Sequence, residues 1–321
     1  MARRETVAAV SCALLTACSG AQSALDPAGR GAERIATLFW WMAGGAAVIW
    51  LGVVSLMVYA LLRRRQHTER TASIVIVGGG LVVPILLLTV LLVAGLALLP
   101  DLLASPREAL QIRVSGEQYW WRVRYLLPDG QEFELANEIH LPLGEPVELL
   151  LDSPDVIHAF WVPPLAGKVD MIPGRVNRLT LEATRTGVFR GVCAEYCGTS
   201  HALMAFDAVV LERAAFRDWL APQRRPAAIR QSRGLDLFLA NGCGACHTLR
   251  GTPADGVLGP DLTHVGSRRR LAAGILPNDD HALARFIART DAVKPGVQMP
   301  AYGMLPAGDL RAIAAYLEAL Q

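Results

Sequence analysis

The chain has 321 residues, of which 52% are hydrophobic and 19% charged, and its formal net charge is +2 at pH 7. This length allows two domains with additional segments, and so high a hydrophobic fraction favours a chain with membrane segments over an entirely soluble enzyme. Because lysine and arginine form no concentrated stripe, we expect no nucleic-acid partner.

The first 17 residues have the features of an export signal. Two arginines precede an apolar run over 7–17, and the segment reaches the sequence Leu-Thr-Ala-Cys at 15–18. This ending resembles the lipobox of bacterial lipoproteins, which implies that Cys18 is acylated and becomes the mature N-terminus. An ordinary signal peptide with a chance cysteine is the alternative. We therefore predict a lipoprotein-type signal peptide over 1–17.

Two stretches without a charged residue follow, at 35–62 and 74–99. Each exceeds the ~20 apolar residues that a helix needs to span a bilayer, whereas two buried core helices of this length would be unusual. The residues between them include four arginines, and such a basic loop should stay cytoplasmic. We predict a transmembrane hairpin over 35–104 in a bacterial inner membrane, with the later domains on the outer side.

From residue 108 the pattern changes to short runs in which apolar and polar residues alternate. Glycine-containing turns at 129–130, 143–144 and 173–174 separate these runs. Alternation with regular turns predicts a small β-sandwich, here over 108–220. The expected strands include 110–114, 121–125, 147–151, 179–183 and 205–211.

The stretch 191–204 concentrates side chains that bind soft metals. These side chains are Cys193, Cys197, His201 and Met204. Two cysteines are too many for a mononuclear blue-copper centre, and methionine is unusual in a closed zinc tetrahedron. Two thiolates that bridge two coppers fit better, with a second imidazole from His158. A disulfide or a zinc site at the two cysteines is the alternative.

These residues resemble the dinuclear copper (CuA) domain of subunit 2 of the haem-copper cytochrome oxidases. Its loop reads C-x-E-x-C-x-x-x-H-x-x-M, with another histidine 35 residues before the first cysteine, as in this chain. The resemblance implies a cupredoxin-like fold, bridging thiolates and two terminal histidine ligands. The implied ligands are Cys193, Cys197, His158 and His201, with Met204 and the backbone carbonyl of Glu195 as weak axial ligands. It also implies a magnesium site that the Glu195 side chain shares with the catalytic subunit.

Two further segments are similar to the same family. Residues 168–175 match its K-x-D-x-x-P-G-R stretch, and residues 116–121 resemble the aromatic segment through which electrons enter from cytochrome c. This implies Tyr119, Trp120 and Trp121 as electron-entry candidates, although a packed aromatic strand is an equal alternative. The chain departs from the family by having Glu117 and Tyr119 where histidine and tryptophan are common. His140 has no partner motif, and we expect it to be structural.

Residues 221–230 contain two prolines and three arginines, and this composition predicts a linker. Cys243, Cys246 and His247 then form a C-x-x-C-H motif, which is the attachment signature of a c-type haem. Two thioethers would anchor the porphyrin, and the adjacent histidine would ligate the iron. The six cysteines are thereby divided among the signal, its processing site, the copper loop and the haem motif, with none left for a disulfide framework.

The residues after this motif resemble a small class I cytochrome c. Gly-Pro-Asp-Leu at 259–262 is similar to the loop whose proline carbonyl accepts a hydrogen bond from the axial histidine. Residues 294–300 resemble the sixth-ligand loop, which implies Met299 as the second axial ligand. Met304, His264 and His281 are the alternatives. We therefore predict an all-α cytochrome c domain over 231–321, closed by an amphipathic helix.

Taken together, the domains resemble subunit 2 of a cytochrome-c-fused (caa-type) cytochrome oxidase. The resemblance implies an electron-entry subunit of a proton-translocating oxidoreductase, with subunit 1 and other oxidase subunits as partners. Electrons would come from cytochrome c or a bc-type complex, pass through haem c and copper, and reach subunit 1, where oxygen is reduced. No catalytic residue is then expected in this chain. The alternatives are a copper subunit of a nitric-oxide reductase and a membrane-anchored copper or redox-sensing module.

Overall fold

The computed structural model describes residues 19–63, 68–103, 109–228 and 231–321. The predicted signal peptide, Cys18 and residues 64–67 of the basic loop between the uncharged stretches lie outside these ranges. The chain divides into two compact units, one formed by Glu33–Ala104 and the other by the remaining residues.

The first unit is helical. It contains α1 (Arg30–Leu62), α2 (Glu69–Ser73), a π-helical segment (Ile74–Val82) and α3 (Val83–Leu103). Two spans, Arg30–Leu62 and Glu69–Leu99, have mean hydropathies of 2.2 and 2.9, and 0% of either tested window is buried. Apolar helices with no protein cover are suited to lipid, and the predicted pair of apolar helices is confirmed.

The second unit begins with a β-sandwich, as predicted. Its strands are β1 (Leu110–Glu117), β2 (Trp120–Leu126), β3 (Glu132–Ala136), β4 (Glu138–Pro142), β5 (Pro146–Asp152), β6 (His158–Trp161), β7 (Val169–Met171), β8 (Asn177–Glu182), β9 (Gly187–Cys193) and β10 (Ala205–Leu211). They form two five-stranded sheets, in the orders β3-β2-β1-β5-β8 and β4-β10-β9-β6-β7. Buried and less buried residues alternate along β1 and β9. The core between the sheets includes the fully buried side chains of Trp121, Tyr125 and Phe206.

The second sheet brings distant parts of the predicted copper site together. Strand β6 begins at His158, β9 ends at Cys193, and the two strands are antiparallel neighbours in which Phe160 pairs with Cys193. A loop with one 3₁₀ turn, His201–Leu203, then returns the chain to β10. The start of β6 and the end of β9 therefore lie side by side at the same end of the second sheet.

After the sandwich, α4 (Arg213–Gln223) extends into the segment predicted as a linker. Trp219 of this helix stacks on the buried His140 ring at 3.9 Å, while His140 Nε2 lies 2.7 Å from Glu138 Oε1. These contacts are those of a structural histidine.

The C-terminal part of the unit is helical, which confirms the predicted fold class. It contains α5 (Arg233–Ala240), β11 (Arg270–Leu271), β12 (Leu276–Pro277), α6 (Asp280–Ala288), α7 (Thr290–Val293) and α8 (Ala307–Glu318). Helices α5 and α8 pack closely at Gly234, where a Cβ atom would lie 2.3 Å from Ala312 O. The apolar face of α8 is buried against the other helices, with Leu310, Ile313 and Leu317 in the core.

A seam of hydrogen bonds joins the sandwich to this helical domain. The backbone N–H of Ala205 donates to Ala273 O (3.1 Å), and Arg269 N–H donates to Glu138 Oε2 (2.9 Å). On another part of the seam, Arg122 Nη2 donates to Val257 O (2.9 Å). The two domains are thus in direct contact within one compact unit.

Candidate metal centres

The copper-loop side chains converge on one buried point. The sulfur atoms of Cys193 and Cys197 lie 3.9 Å apart, and each has an imidazole beside it. His158 Nδ1 is 3.7 Å from Cys193 Sγ, and His201 Nδ1 is 3.6 Å from Cys197 Sγ. Met204 Sδ lies 3.9 Å from Cys197 Sγ. The structure therefore places Met204 beside the four side chains that the sequence predicted as the main ligands, those of Cys193, Cys197, His158 and His201.

This donor set fits a thiolate-bridged metal pair. The Sγ–Sγ separation of 3.9 Å is far longer than the ~2.05 Å of a disulfide. The carbonyl oxygen of Glu195, 3.1 Å from Cys193 Sγ, adds an oxygen donor at one side. Two thiols, two imidazoles, a thioether and a carbonyl exceed the four ligands of a structural zinc ion and include the soft donors that copper prefers.

Without metal, the buried donors hold protons that a metal must displace. The hydrogen bond from Cys197 lowers the pKa of Cys193, while the same contact raises the pKa of Cys197. Burial lowers the pKa of His158, but hydrogen bonds with Asp155 and Cys193 outweigh burial and raise it to about 9. Binding of soft metal ions would replace these protons by metal charge.

Asp155 orients the first histidine. Its Oδ1 accepts a hydrogen bond from His158 Nε2 (2.9 Å), which leaves Nδ1 facing the thiol of Cys193. The carboxylate also accepts from the backbone N–H of Gln118 (2.7 Å) and of Val156 (2.6 Å). Burial raises the pKa of Asp155, but these hydrogen bonds together lower it to about 2. A carboxylate that fixes the tautomer of a ligand histidine is a common feature of metal sites.

The three aromatic candidates occupy different places around this cluster. Tyr119 is buried, and its hydroxyl accepts a hydrogen bond from the Thr199 N–H (3.0 Å) in the copper loop. Trp121 is fully buried, with its ring centroid 6.4 Å from that of His158. Trp120 lies under the guanidinium of Arg122, 4.6 Å from its carbon, at the seam with the helical domain.

The Glu195 side chain points away from the thiols. Its carboxylate lies 3.6 Å from Lys168 Nζ, which also pairs with Asp170 at 2.9 Å. These side chains are between 41% and 46% exposed, so they form a polar surface beside the cluster.

The C-x-x-C-H motif lies in and just after a 3₁₀ turn, Cys243–Ala245. His247 Nδ1 donates to the carbonyl of Pro260 (2.8 Å), as the loop resemblance implied. Burial lowers the pKa of His247 and favours the neutral imidazole, the form that ligates iron. Gly259 makes this approach possible, because a Cβ atom there would lie 2.6 Å from His247 Cε1.

The residues around this histidine fit a haem. A set of apolar side chains is only partly buried against the domain core, where a flat apolar ring would cover them. This set includes Leu237, Cys243, Leu262, Met299, Tyr302 and Leu305. Among the alternatives to Met299, Met304 is 76% exposed and His281 points to solvent. His264 Nε2 is already bonded to the carbonyl of Arg225 (2.9 Å).

Four residues at or near these sites were not identified from the sequence: Asp155, Arg122, Ser200 and Lys294. Asp155 could have been identified from its spacing, since a carboxylate three residues before a ligand histidine can reach its ring. The other three could not, because their contacts depend on how the two domains pack.

Two family models match separate parts of the chain. "Cytochrome C oxidase subunit II, periplasmic domain" matches residues 126–212, and "Cytochrome c" matches residues 231–321. The second match begins where the helical domain begins.

Curated relatives and a solved structure carry the first of these names. Cytochrome c oxidase subunit 2 of Alkalihalophilus pseudofirmus is 39% identical over 214 residues, 65% of this chain and 61% of that protein. The subunit 2 of Bacillus sp. strain PS3 is 33% identical over 229 residues, 67% of this chain and 63% of that protein. The chain thus spans about three fifths of the curated relatives it matches. The periplasmic domain of subunit II of a Bradyrhizobium japonicum cytochrome oxidase is 32% identical, with a TM-score of 0.35, over 37% of this chain and 96% of that domain. The chain thus carries a region similar to the periplasmic domain of cytochrome c oxidase subunit II, followed by a cytochrome c domain, and this combination fits a subunit 2 fused to cytochrome c.

Proposed function

We propose that the chain is the electron-entry subunit of a terminal respiratory oxidase, with a dinuclear copper centre in the sandwich and one covalent haem c in the helical domain. The observation that carries this proposal is the buried cluster around Cys193 and Cys197, in a chain that also has a haem attachment motif. The subunit 2 relatives support the same assignment.

The proposed copper ligands follow from the directions of the side chains. Cys193 and Cys197 would bridge the two metals, His158 and His201 would each bind one through Nδ1, and Met204 with the Glu195 carbonyl would bind weakly. When bound, the copper pair would supply a one-electron carrier. Because the donors are held by strand ends and by Asp155, they need to move little between oxidation states.

The proposed haem ligands lie in the helical domain. Cys243 and Cys246 would form the thioether bonds, and His247 and Met299 would be the axial ligands. When bound, the haem would supply a second one-electron carrier, held in the electron-transfer range of potential by methionine–histidine ligation. The carbonyl of Pro260 keeps the His247 ring in a fixed orientation by accepting its Nδ1–H (2.8 Å).

The two apolar helices support a membrane location. We place the chain in the bacterial inner membrane, with both redox domains outside and with subunit 1, which would reduce oxygen, as the partner. The donor would be cytochrome c or a bc-type complex, and the exposed carboxylate of Glu195 would bind magnesium together with ligands from subunit 1.

Two experiments test the orientation and the lipid anchor. A topology reporter fused after Leu102 should be external. Labelled fatty acid should enter the wild-type protein but not Cys18→Ala.

Metal analysis of the purified complex tests the proposal. We expect two coppers and one haem c per chain and the paramagnetic resonance of a delocalised mixed-valence pair, and Cys197→Ser should abolish that signal because oxygen cannot replace the bridging sulfur. One copper per chain, or a mononuclear four-line pattern in wild type, would contradict it.

Stopped-flow reduction by the physiological donor tests the order of electron transfer, in which the haem would be reduced before the copper pair. If copper is reduced at an undiminished rate when Cys243 and Cys246 are replaced, the haem is not the entry point.

A further inference from the structure

The side chain of Lys294 is a buried cation in the seam between the two domains. It is 2% exposed, and it is one of the largest fully buried side chains in the described chain. Lysine is almost never fully buried without a carboxylate partner, because burial disfavours its charge. Within the described residues, no carboxylate forms an ion pair with it, and its ammonium donates to the carbonyl of Ala272 (3.0 Å). Packing alone would be served better by an apolar side chain.

The residues that follow Lys294 lie directly on the copper loop. Pro295 O accepts a hydrogen bond from Ser200 Oγ (2.6 Å). A Cβ atom at Gly296 would lie 3.4 Å from Tyr119 Cε2 and 3.7 Å from Thr199 Cβ, and Val297 packs against the core of the sandwich. Lys294 is therefore held beside the loop that carries Cys197 and His201, although it belongs to the haem domain.

The acceptor of the Lys294 hydrogen bond is itself unusual. Ala272 and Ala273 have φ angles of 53° and 61°, in the left-handed region that residues with a side chain rarely adopt. Such strain persists where surrounding contacts hold it. Here Lys294 binds the first carbonyl, and the backbone N–H of Ala205, next to Met204, donates to the second (3.1 Å).

We propose that Lys294 is a positioning residue of the copper centre, whose buried positive charge, supplied from the haem domain, raises the reduction potential of the copper pair. Oxidation of a thiolate-bridged pair leaves one more positive charge at the site, so a nearby cation in a medium of low dielectric constant opposes oxidation. Burial lowers the pKa of Lys294 to about 7, while the Cys197 side chain raises it, which is the effect expected of a neighbouring group in the copper loop. This inference rests on the proposed copper site.

Two neutral variants of the full-length complex separate charge from structure. Lys294→Met replaces the side chain by an unbranched apolar one that is one atom shorter, and Lys294→Gln keeps a hydrogen-bond donor for Ala272 O. Arg270→Met is the matched control, since Arg270 is 52% exposed on the same seam and pairs with Asp207 at 3.4 Å, so water and the carboxylate screen its charge. The midpoint potential of the copper pair would be measured by spectroelectrochemistry at about pH 6, on the acid side of the Lys294 pKa of about 7, alongside copper content and the paramagnetic resonance spectrum.

We expect both Lys294 variants to retain two coppers and the wild-type spectrum while their copper potential falls, and Arg270→Met to shift it less. An unchanged potential in both variants would overturn the inference. So would an equal shift in Arg270→Met, which would indicate a general surface-charge effect, or a loss of copper from both variants, which would indicate a purely structural role. A wild-type chain that binds no copper would instead reject the proposed function, and this inference with it.

Discussion

Ser200 Oγ donates a hydrogen bond of 2.6 Å to the carbonyl oxygen of Pro295. Ser200 is fully buried and immediately precedes His201, whereas Pro295 lies four residues before Met299. One hydrogen bond therefore joins the loop that is proposed to hold copper to the loop that is proposed to hold the haem iron. A tethered domain that only collided with the sandwich would not require such a specific contact between the two loops.

Replacing Ser200 should weaken this connection. Ser200→Ala removes the donor to the Pro295 carbonyl, and we expect the unfolding free energy to fall by roughly 0.5–1.5 kcal/mol, the net contribution of one hydrogen bond. Under the proposed function, copper reduction after haem reduction should also become slower, which rapid-mixing spectroscopy would measure. Ser267→Ala is the control, because Ser267 Oγ donates to His264 O (2.8 Å) within the haem domain. Equal transfer rates in the two variants would show that the Ser200 contact does not serve electron transfer.

Arg122 should be a main stabilising residue of the seam. Its side chain is 7% exposed and contacts Glu117 (2.5 Å) and Glu134 (2.7 Å). Arg122→Met removes the guanidinium from Glu117 and leaves Glu134 with Arg124, and we expect a loss of about 3 kcal/mol in the free energy of unfolding. Hydrogen exchange of the peptide around Val257 should rise, since its carbonyl loses the Arg122 donor.

Arg124→Met is the matched control for that prediction. Arg124 is 39% exposed and reaches Glu134 at 3.1 Å from the next outward position of the same strand. A solvent-exposed ion pair contributes little, so we expect a change within about 1 kcal/mol. If chemical denaturation gave equal losses for the two variants, the buried guanidinium would have no special role.

The convergence of the thiol and imidazole side chains was predictable from sequence because their arrangement is mostly local. Cys193, Cys197 and His201 are spaced four residues apart in one loop. The single long-range member, His158, reaches the cluster through a simple ladder in which β6 and β9 are neighbours. The alternating runs likewise located five of the ten strands, β1, β2, β5, β8 and β10, because the period of a strand is visible within a short window.

The seam was not predictable, because its contacts join residues far apart in the chain. Arg122 meets Val257 across 135 residues, and Ser200 meets Pro295 across 95. No periodicity reports such pairs. Glu117, which stands where the similar family often has histidine, also had no explanation in the sequence. In the structure its carboxylate pairs with the side chain of Arg122 (2.5 Å).

Lys294 should make the stability of the chain depend on pH. Burial lowers its pKa from the ordinary value of 10.5 to about 7. Between these values the unfolded chain binds a proton that the folded chain does not, so the free energy of unfolding should rise as pH increases from about 7 to about 10. Lys294→Met should lack this contribution and be more stable than wild type at neutral pH. Denaturation at both ends of the range measures it, and parallel pH profiles of the two proteins would contradict the prediction.

Gly259 should be intolerant of any side chain, because it lies against the proposed axial histidine. A methyl group there would be 2.6 Å from His247 Cε1 and 2.8 Å from Nδ1, closer than carbon atoms approach without displacement. We expect Gly259→Ala to cost about 1–3 kcal/mol through overpacking and to disturb the hydrogen bond from His247 to Pro260. Haem should still attach through Cys243 and Cys246, but with an altered visible spectrum and a lower potential. Gly308→Ala is the control, since nothing lies within 4 Å of a Cβ atom at that helical position, and it should be neutral or stabilising by up to about 1 kcal/mol. A wild-type spectrum in Gly259→Ala at full haem content would show that the ring of His247 is not held by this glycine loop.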